Sequence, residues 1–453
     1  MSFVVRQAIR NVLSGDDLKA RLIRGGIGSA GIQATNRVLA LALGIVLARI
    51  LGPDGYGVYA YAFAVMSLLM VVAEAGVPTL LMREVAASLG REEWGLMRGA
   101  LRRAGQFVAL AAIAVALLGL LVLWVAADRL SAEMFYTMAL MLLVLPLSAG
   151  AKTVAQALIG LHRVVLGQAV NMLLQPLLVV AFVGGAFLVW PALRQPHYAM
   201  AAQLFAVTIV LVVGLLILRR LTPQETRTVP PVYRSREWLR SALPFMLIGG
   251  AGIINNQTDI IMLGWFTGPE EVGIYRVAVQ GAALVAFSLQ VVNAVVAPQF
   301  SRLFAQGDMA RLQRLVTQSA RLVLLAALPV ALVFILAGGV LVSWVFGAGF
   351  ASAHVPLAIL AVGQLVNAGF GSVGFLLNMT GYETVTARIL WQTALSNIAL
   401  NAVFIPLYGM NGAAIATAIS VAFWNLLLYR EVKEKLNIDS TAFGPKPICV
   451  RSQ

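Results

Sequence analysis

From about residue 25 to residue 430 the chain alternates long apolar runs with short polar breaks. Apolar runs of 18 or more residues are long enough to cross the hydrocarbon core of a bilayer as helices. The pattern predicts twelve: 25–50, 56–82, 104–127, 133–159, 164–190, 197–218, 241–266, 272–300, 318–346, 353–379, 384–408 and 410–429. The expected fold class is all-α, a polytopic membrane protein of about 12 transmembrane helices. Basic residues gather in alternate breaks. Arg6, Arg10, Lys19, Arg21 and Arg24 precede the first run, and Arg83, Arg91, Arg98, Arg102 and Arg103 follow the second. The middle break holds Arg219, Arg220, Arg227, Arg234, Arg236 and Arg240, and Arg302, Arg311 and Arg314 follow the eighth run. Arg430, Lys433, Lys435, Lys446 and Arg451 lie in the tail. The positive-inside rule then puts both termini in the cytoplasm. The expected location is a bacterial or archaeal cytoplasmic (inner) membrane.

One phrase occurs twice. Gly52-Pro53-Asp54-Gly55-Tyr56-Gly57-Val58-Tyr59 is echoed by Gly268-Pro269-Glu270-Glu271-Val272-Gly273-Ile274-Tyr275. Locally it reads as a helix–turn–helix corner, with glycine ending one helix, proline opening the next and acids in the positive first turn. Tyr59 and Tyr275 are expected as interfacial anchors. The repetition implies two six-helix bundles inserted in the same orientation, an arrangement met in transporters. The expected division is a basic cytoplasmic leader (1–24), an N-terminal lobe (25–220), a cytoplasmic linker (221–240), a C-terminal lobe (241–430) and a cytoplasmic tail (431–453). After Gly90 and after Gly307 a short amphipathic surface helix is predicted.

Composition agrees with the pattern. The 453 residues are 60% hydrophobic and 11% charged, with mean hydropathy +0.87, whereas soluble domains are nearer one quarter charged. The formal charge is +14, but the basic residues sit in short breaks between spans, so no nucleic-acid partner is expected. Cys449 is the only cysteine, which excludes a disulfide framework and a cysteine metal site. The sequence has no HExxH, Walker A or Gly-x-Ser-x-Gly motif, and no enzyme is expected.

Few charges fall inside the predicted spans: Arg37, Glu74, Lys152, Asp259, Arg276 and Arg388. Each costs roughly 2.5–3.5 kcal/mol to insert at mid-span, so such residues usually face a wet cavity or a partner. Four are cationic, which favours an anionic ligand over a neutral sugar or a cationic drug. Arg276 and Arg388 lie near membrane faces, where snorkelling would also account for them. Glu74 would either neutralise Arg37 or Lys152 or serve as a ligand. Asn397 and Asn401 are four apart on one helix face. With Asp259 and Thr417 they offer hard oxygen ligands for a small cation, or interhelical hydrogen bonds.

The run Ala48-Arg49-Ile50-Leu51-Gly52-Pro53-Asp54-Gly55-Tyr56-Gly57-Val58-Tyr59 resembles the end of the first span in polysaccharide-biosynthesis flippases of the multidrug/oligosaccharidyl-lipid/polysaccharide exporter superfamily. Asp259 through Tyr275 is similar to their seventh and eighth spans. The resemblance implies two bundles that alternate between inward and outward states. It implies a substrate of undecaprenyl pyrophosphate carrying a short sugar chain, moved for O-antigen, lipopolysaccharide or exopolysaccharide assembly beside a polysaccharide polymerase. Arg37, Lys152, Arg276 and Arg388 become the expected pyrophosphate ligands, with Glu74 as charge partner. Lipid II flippases resemble this chain in a sodium site built from a span-seven acid, two span-eleven side chains and a span-twelve threonine. Asp259, Asn397, Asn401 and Thr417 occupy comparable places, with Asn401 where that pattern has an acid. No cofactor is expected beyond Na⁺ or H⁺ as coupling ion. A multidrug exporter of the same superfamily and a membrane polymerase or ligase are the alternatives.

Overall fold

A computed structural model describes residues 18–190 and 193–444. Most of the predicted leader, and Lys446, Cys449 and Arg451 of the tail, lie outside these. No strand occurs among the described residues. The helices are α1 (Leu18–Glu74), α2 (Val77–Arg91), α3 (Trp94–Val125), α4 (Ala132–Gly160), α5 (Val164–Ala169), α6 (Gln175–Val189), α7 (Pro196–Leu221), α8 (Glu225–Thr228), α9 (Ser235–Phe266), α10 (Pro269–Ala305), α11 (Met309–Phe346), α12 (His354–Phe370), α13 (Val373–Met379) and α14 (Glu383–Leu436).

Nine helices among the described residues are long and apolar enough to cross a membrane. Two of the nine carry an internal break. α1 turns at Gly52 (φ 69°) before Pro53, and α14 turns at Gly409 (φ 54°). Both glycines take the left-handed backbone that other residues resist, and Pro53 opens the next helix where its missing N–H is harmless. α9 falls outside the nine; its polar run Asn255-Asn256-Gln257-Thr258-Asp259 lowers its hydropathy. The predicted second span is interrupted. Ala75 (φ 45°) and Gly76 (φ 74°) end α1 just after Glu74, and α2 restarts with Pro78 in its first turn. A π turn at Val170–Leu174 joins α5 to α6, where Pro176 cannot supply the N–H that Met172 would otherwise accept. The two short surface helices predicted after Gly90 and Gly307 are absent. Those residues form the opening turns of α3 and α11, and Asp308 caps α11 by accepting from the Arg311 N–H at 2.9 Å.

The chain groups into two contact units: residues up to Val46 with Met66–Gly249, and Leu47–Val65 with Gly250 onward. In the first unit α4 packs on α3, α2 and α7. The middle break is no free connection. Val232 donates its N–H to the Gly95 carbonyl at 2.9 Å, Arg98 donates to the Val229 carbonyl at 2.6 Å, and Arg103 lies 4.8 Å from the Tyr233 ring centre. Gly99 has no side chain to keep the Val232 carbonyl away.

In the second unit the two copies of the repeated phrase face each other. A Cβ on Gly57 would overlap the Pro269 carbonyl, and one on Gly273 would overlap the Pro53 carbonyl. Either would come within 2.9 Å of the other glycine's nitrogen. The reciprocity means that each copy serves as the other's binding groove. Small residues permit such backbone approach between membrane helices. Around the crossing, Gln280 donates to the Tyr56 hydroxyl at 2.9 Å. Arg49 donates to the Val345 carbonyl at 2.7 Å and to the Trp344 carbonyl, capping the unpaired end of α11. Phe300, Leu312, Val316, Leu376, Leu377, Leu428 and Val432 form a core among α10, α11, α13 and α14. After α14 the chain folds back over this core. The Asp439 backbone exchanges two hydrogen bonds with the Gln313 amide at 2.7 and 2.8 Å, and Arg321 donates to the Ala442 and Gly444 carbonyls.

Candidate functional site

In the first unit, Glu74 is placed by the break that ends α1, and Lys152 by the middle of α4. Lys152 Nζ donates to Glu74 Oε2 at 2.6 Å. The Glu74 side chain is 9% exposed and the Lys152 side chain 39%. Glu74 Oε1 is buried without a partner. Lys152 is therefore the residue that neutralises Glu74. Arg37, on α1, is exposed and makes no ion pair among the described residues.

In the second unit the anticipated polar residues form two hydrogen-bonded groups. Asp259 (α9) is 5% exposed. Its Oδ1 accepts from the Ile260 N–H at 2.9 Å and its Oδ2 from the Tyr275 hydroxyl at 2.7 Å. Thr417 Oγ1 (α14) lies 3.4 Å from the same hydroxyl. A carboxylate in this setting would be costly to bury without donors, and Tyr275 supplies the side-chain one. In the other group, Asn401 Nδ2 donates to the Asn397 carbonyl and Oδ1 at 2.9 and 3.1 Å, and Asn397 donates to Ser420 at 3.1 Å. Asn401 Oδ1 is buried and unpartnered. Thr417 and Ser420 are three residues apart on α14, so they put the two groups on neighbouring positions of one helix. No hydrogen bond joins Asp259 to either asparagine among the described residues.

The remaining two cations differ in setting. The Arg276 side chain (α10) is half-buried and stands beside the Tyr56 hydroxyl. Arg388 (α14) donates to Glu431 at 2.6 Å with its side chain 61% exposed, and Lys435 shares that carboxylate at 3.6 Å.

Tyr275 and Tyr59 are buried, which corrects their expected place at the membrane interface. Tyr275 was legible only as part of the repeat; its use depends on Asp259 from another helix. Glu271 is a second residue whose local sequence pointed elsewhere. Besides opening α10, it accepts from the Met410 N–H at 2.8 Å, capping the half of α14 that restarts after Gly409. Among the described residues no three His, Cys, Asp or Glu side chains are placed to hold a metal ion.

These features define a multi-pass helical membrane protein with buried polar networks inside its spans. The chain belongs to the polysaccharide biosynthesis protein family, whose sequence model matches residues 22–304. It is 22% identical over 244 residues to a probable low-salt glycan biosynthesis flippase of Haloferax volcanii, covering 54% of this chain and 50% of the relative. The chain spans about half the length of the curated relatives it matches. Its fold is that of the multidrug/oligosaccharidyl-lipid/polysaccharide exporter superfamily. An inward-facing multidrug resistance transporter of that superfamily superposes with a TM-score of 0.73 at 13% identity, covering 91% of this chain and 98% of the other. The lipid II flippase in an inward closed conformation gives 0.68 at 14% identity, over 90% and 87% of the two chains.

Proposed function

We propose that the protein is a flippase that carries an undecaprenyl-pyrophosphate-linked oligosaccharide across the cytoplasmic membrane by alternating access. Family membership over residues 22–304 is the observation that carries this reading. The pyrophosphate is the charged element common to such substrates, and moving it unassisted through hydrocarbon would be prohibitive. Within the first unit Arg37 is the foremost candidate ligand, because its charge is exposed and uncompensated by any carboxylate among the described residues. Lys152 would first have to leave Glu74. Within the second unit Arg276 is the corresponding candidate, held by α10 beside Tyr56. Arg388, paired with Glu431 and sited near the start of its helix, is assigned the smallest part.

Asp259, Thr417, Asn397 and Asn401 are proposed as the coupling-cation residues. Their oxygens suit Na⁺, and the unpartnered Asn401 Oδ1 is an acceptor that a cation would satisfy. Tyr275 already donates to Asp259 Oδ2, so a bound cation would share the carboxylate with that hydroxyl.

The test is translocation of a fluorescent lipid-linked oligosaccharide in proteoliposomes. Arg37→Ala should abolish transport while leaving thermal stability within about 0.5 kcal/mol of wild type, as for exposed positions generally. Wild-type transport by Arg37→Ala and Arg276→Ala alike would end the cationic-site reading. Added Na⁺ should raise Tm in wild type and leave Asp259→Asn unmoved; no response in either would exclude Na⁺. A multidrug exporter would instead be expected to offer an accessible acid to a cationic drug, whereas Asp259 and Glu74 are both buried and engaged.

A further inference from the structure

We propose a separate binding site for an anionic membrane phospholipid on the first unit, in a groove formed by α3, α4 and α7. The groove encloses about 950 Å³. Its walls are apolar for most of their length, with Ile113, Leu147 and Leu211 at one end and Arg102, Arg219 and Arg227 at the other. The three helices run so that these ends coincide. Arg102 lies in the third turn of α3, Ala157 in the last turn of α4 and Arg219 in the last turn of α7, while Ile113, Pro146 and Leu211 lie deeper along the same helices. From Arg102 to Ile113 the groove runs about 17 Å at ~1.5 Å per residue. That is roughly half of the ~30 Å hydrocarbon core, the depth of one leaflet. Its shape thus suits one acyl chain of a lipid whose headgroup stays at the arginine end.

Charge selects the headgroup. No carboxylate lines this groove. Arg102 and Arg219 are exposed and make no ion pair among the described residues, and Arg227 donates to the Arg219 backbone carbonyl, which ties α8 to the mouth. Guanidinium groups bind phosphate bidentately, and basic pockets between membrane helices hold anionic headgroups. A second groove, on the other side of α3, makes the contrast. Its wall includes Glu84, and its Arg103 is stacked on Tyr233. Close to Arg102 the groove stays open, because Gly105, one turn further along α3, has nothing within 4 Å of where its Cβ would be. The site lies wholly within one unit and does not depend on the flippase reading.

The experiment titrates the purified full-length protein in detergent with phosphatidylglycerol, with phosphatidylcholine of identical chains, with undecaprenyl phosphate and with inorganic phosphate, reading thermal melting. Phosphatidylglycerol should raise Tm, as any ligand of the folded state does, and the other three should not match it. The Arg102→Gln/Arg219→Gln pair should weaken phosphatidylglycerol binding about 30-fold, counting ~1 kcal/mol per arginine. Gly105→Phe fills the groove with every arginine kept; it should leave the lipid-free Tm unchanged and remove the phosphatidylglycerol response, so it serves even if the double variant fails to fold. Equal stabilisation by phosphatidylcholine, a full response in Gly105→Phe, or stronger stabilisation by undecaprenyl phosphate or by inorganic phosphate would each overturn the proposal.

Discussion

The Glu74–Lys152 pair allows a structural contribution to be separated from a transport role. Lys152→Met would leave the Glu74 carboxylate buried at the end of α1 with no cation, and Oε1 is already without a partner. Removing one member of a fully buried pair costs roughly 3–5 kcal/mol, whereas replacing both by neutral groups of similar shape is often neutral or favourable. Because the Lys152 side chain is 39% exposed, solvent screens part of this, and about 1–3 kcal/mol is the expected loss. Glu74→Gln should lose a similar amount, and Glu74→Gln/Lys152→Met should recover most of both. With most of both losses recovered, the coupling energy should approach their sum, about 2–6 kcal/mol, at or above the upper end of the range for contacting residues. Unfolding of the purified protein in detergent measures stability, and proteoliposome translocation measures transport. A stable double variant that no longer transports would show that Lys152 also serves the substrate. Strictly additive losses, with coupling below about 0.5 kcal/mol, would refute the idea that Lys152 stabilises the fold by neutralising Glu74.

Three other outcomes follow. Gly57→Ala and Gly273→Ala should each destabilise by about 1–3 kcal/mol or more, the range for overpacking, and by similar amounts, since each added methyl meets the partner's backbone; a methyl tolerated at either site in a thermal-unfolding assay would contradict the crossing. Tyr275→Phe should lower stability by about 1.5–3 kcal/mol, the worth of a hydrogen bond to a charged group, and in an Asp259→Asn background by clearly less, as a double-mutant cycle would show. Arg388→Ala should change stability by under about 1 kcal/mol, as exposed ion pairs do, with transport near wild type in liposomes.

The apolar runs made the helices legible, because a membrane span must satisfy its backbone internally and so announces itself in composition. The corners at Gly52 and Gly268 were equally plain, since glycine followed by proline has a narrow local meaning. Which segments touch was much less visible. Leu47–Val65 reads as the end of one span and the start of the next, yet its contacts lie with residues from Gly250 onward. Periodicity gives a helix its faces but no address for them. The same limit hid Tyr275 and Glu271, whose hydrogen bonds run to residues 16 and 139 positions away. The six mid-span charges were identifiable because insertion is costly. Which were already paired was not, since Glu74 and Lys152 are 78 positions apart and only the break at Ala75–Gly76 sets their reach.

The returning segment after α14 has a practical bearing. Ile438, Ser440 and Ala442 are buried although the last long helix has ended, and Gln313 and Arg321 hold that segment through its backbone alone. Their grip is indifferent to the side chains it carries but intolerant of its loss. A reporter joined directly after Leu436 would strip the covering from α11, whereas one joined beyond Gly444 would keep it. For this protein the position of a C-terminal tag is a structural choice.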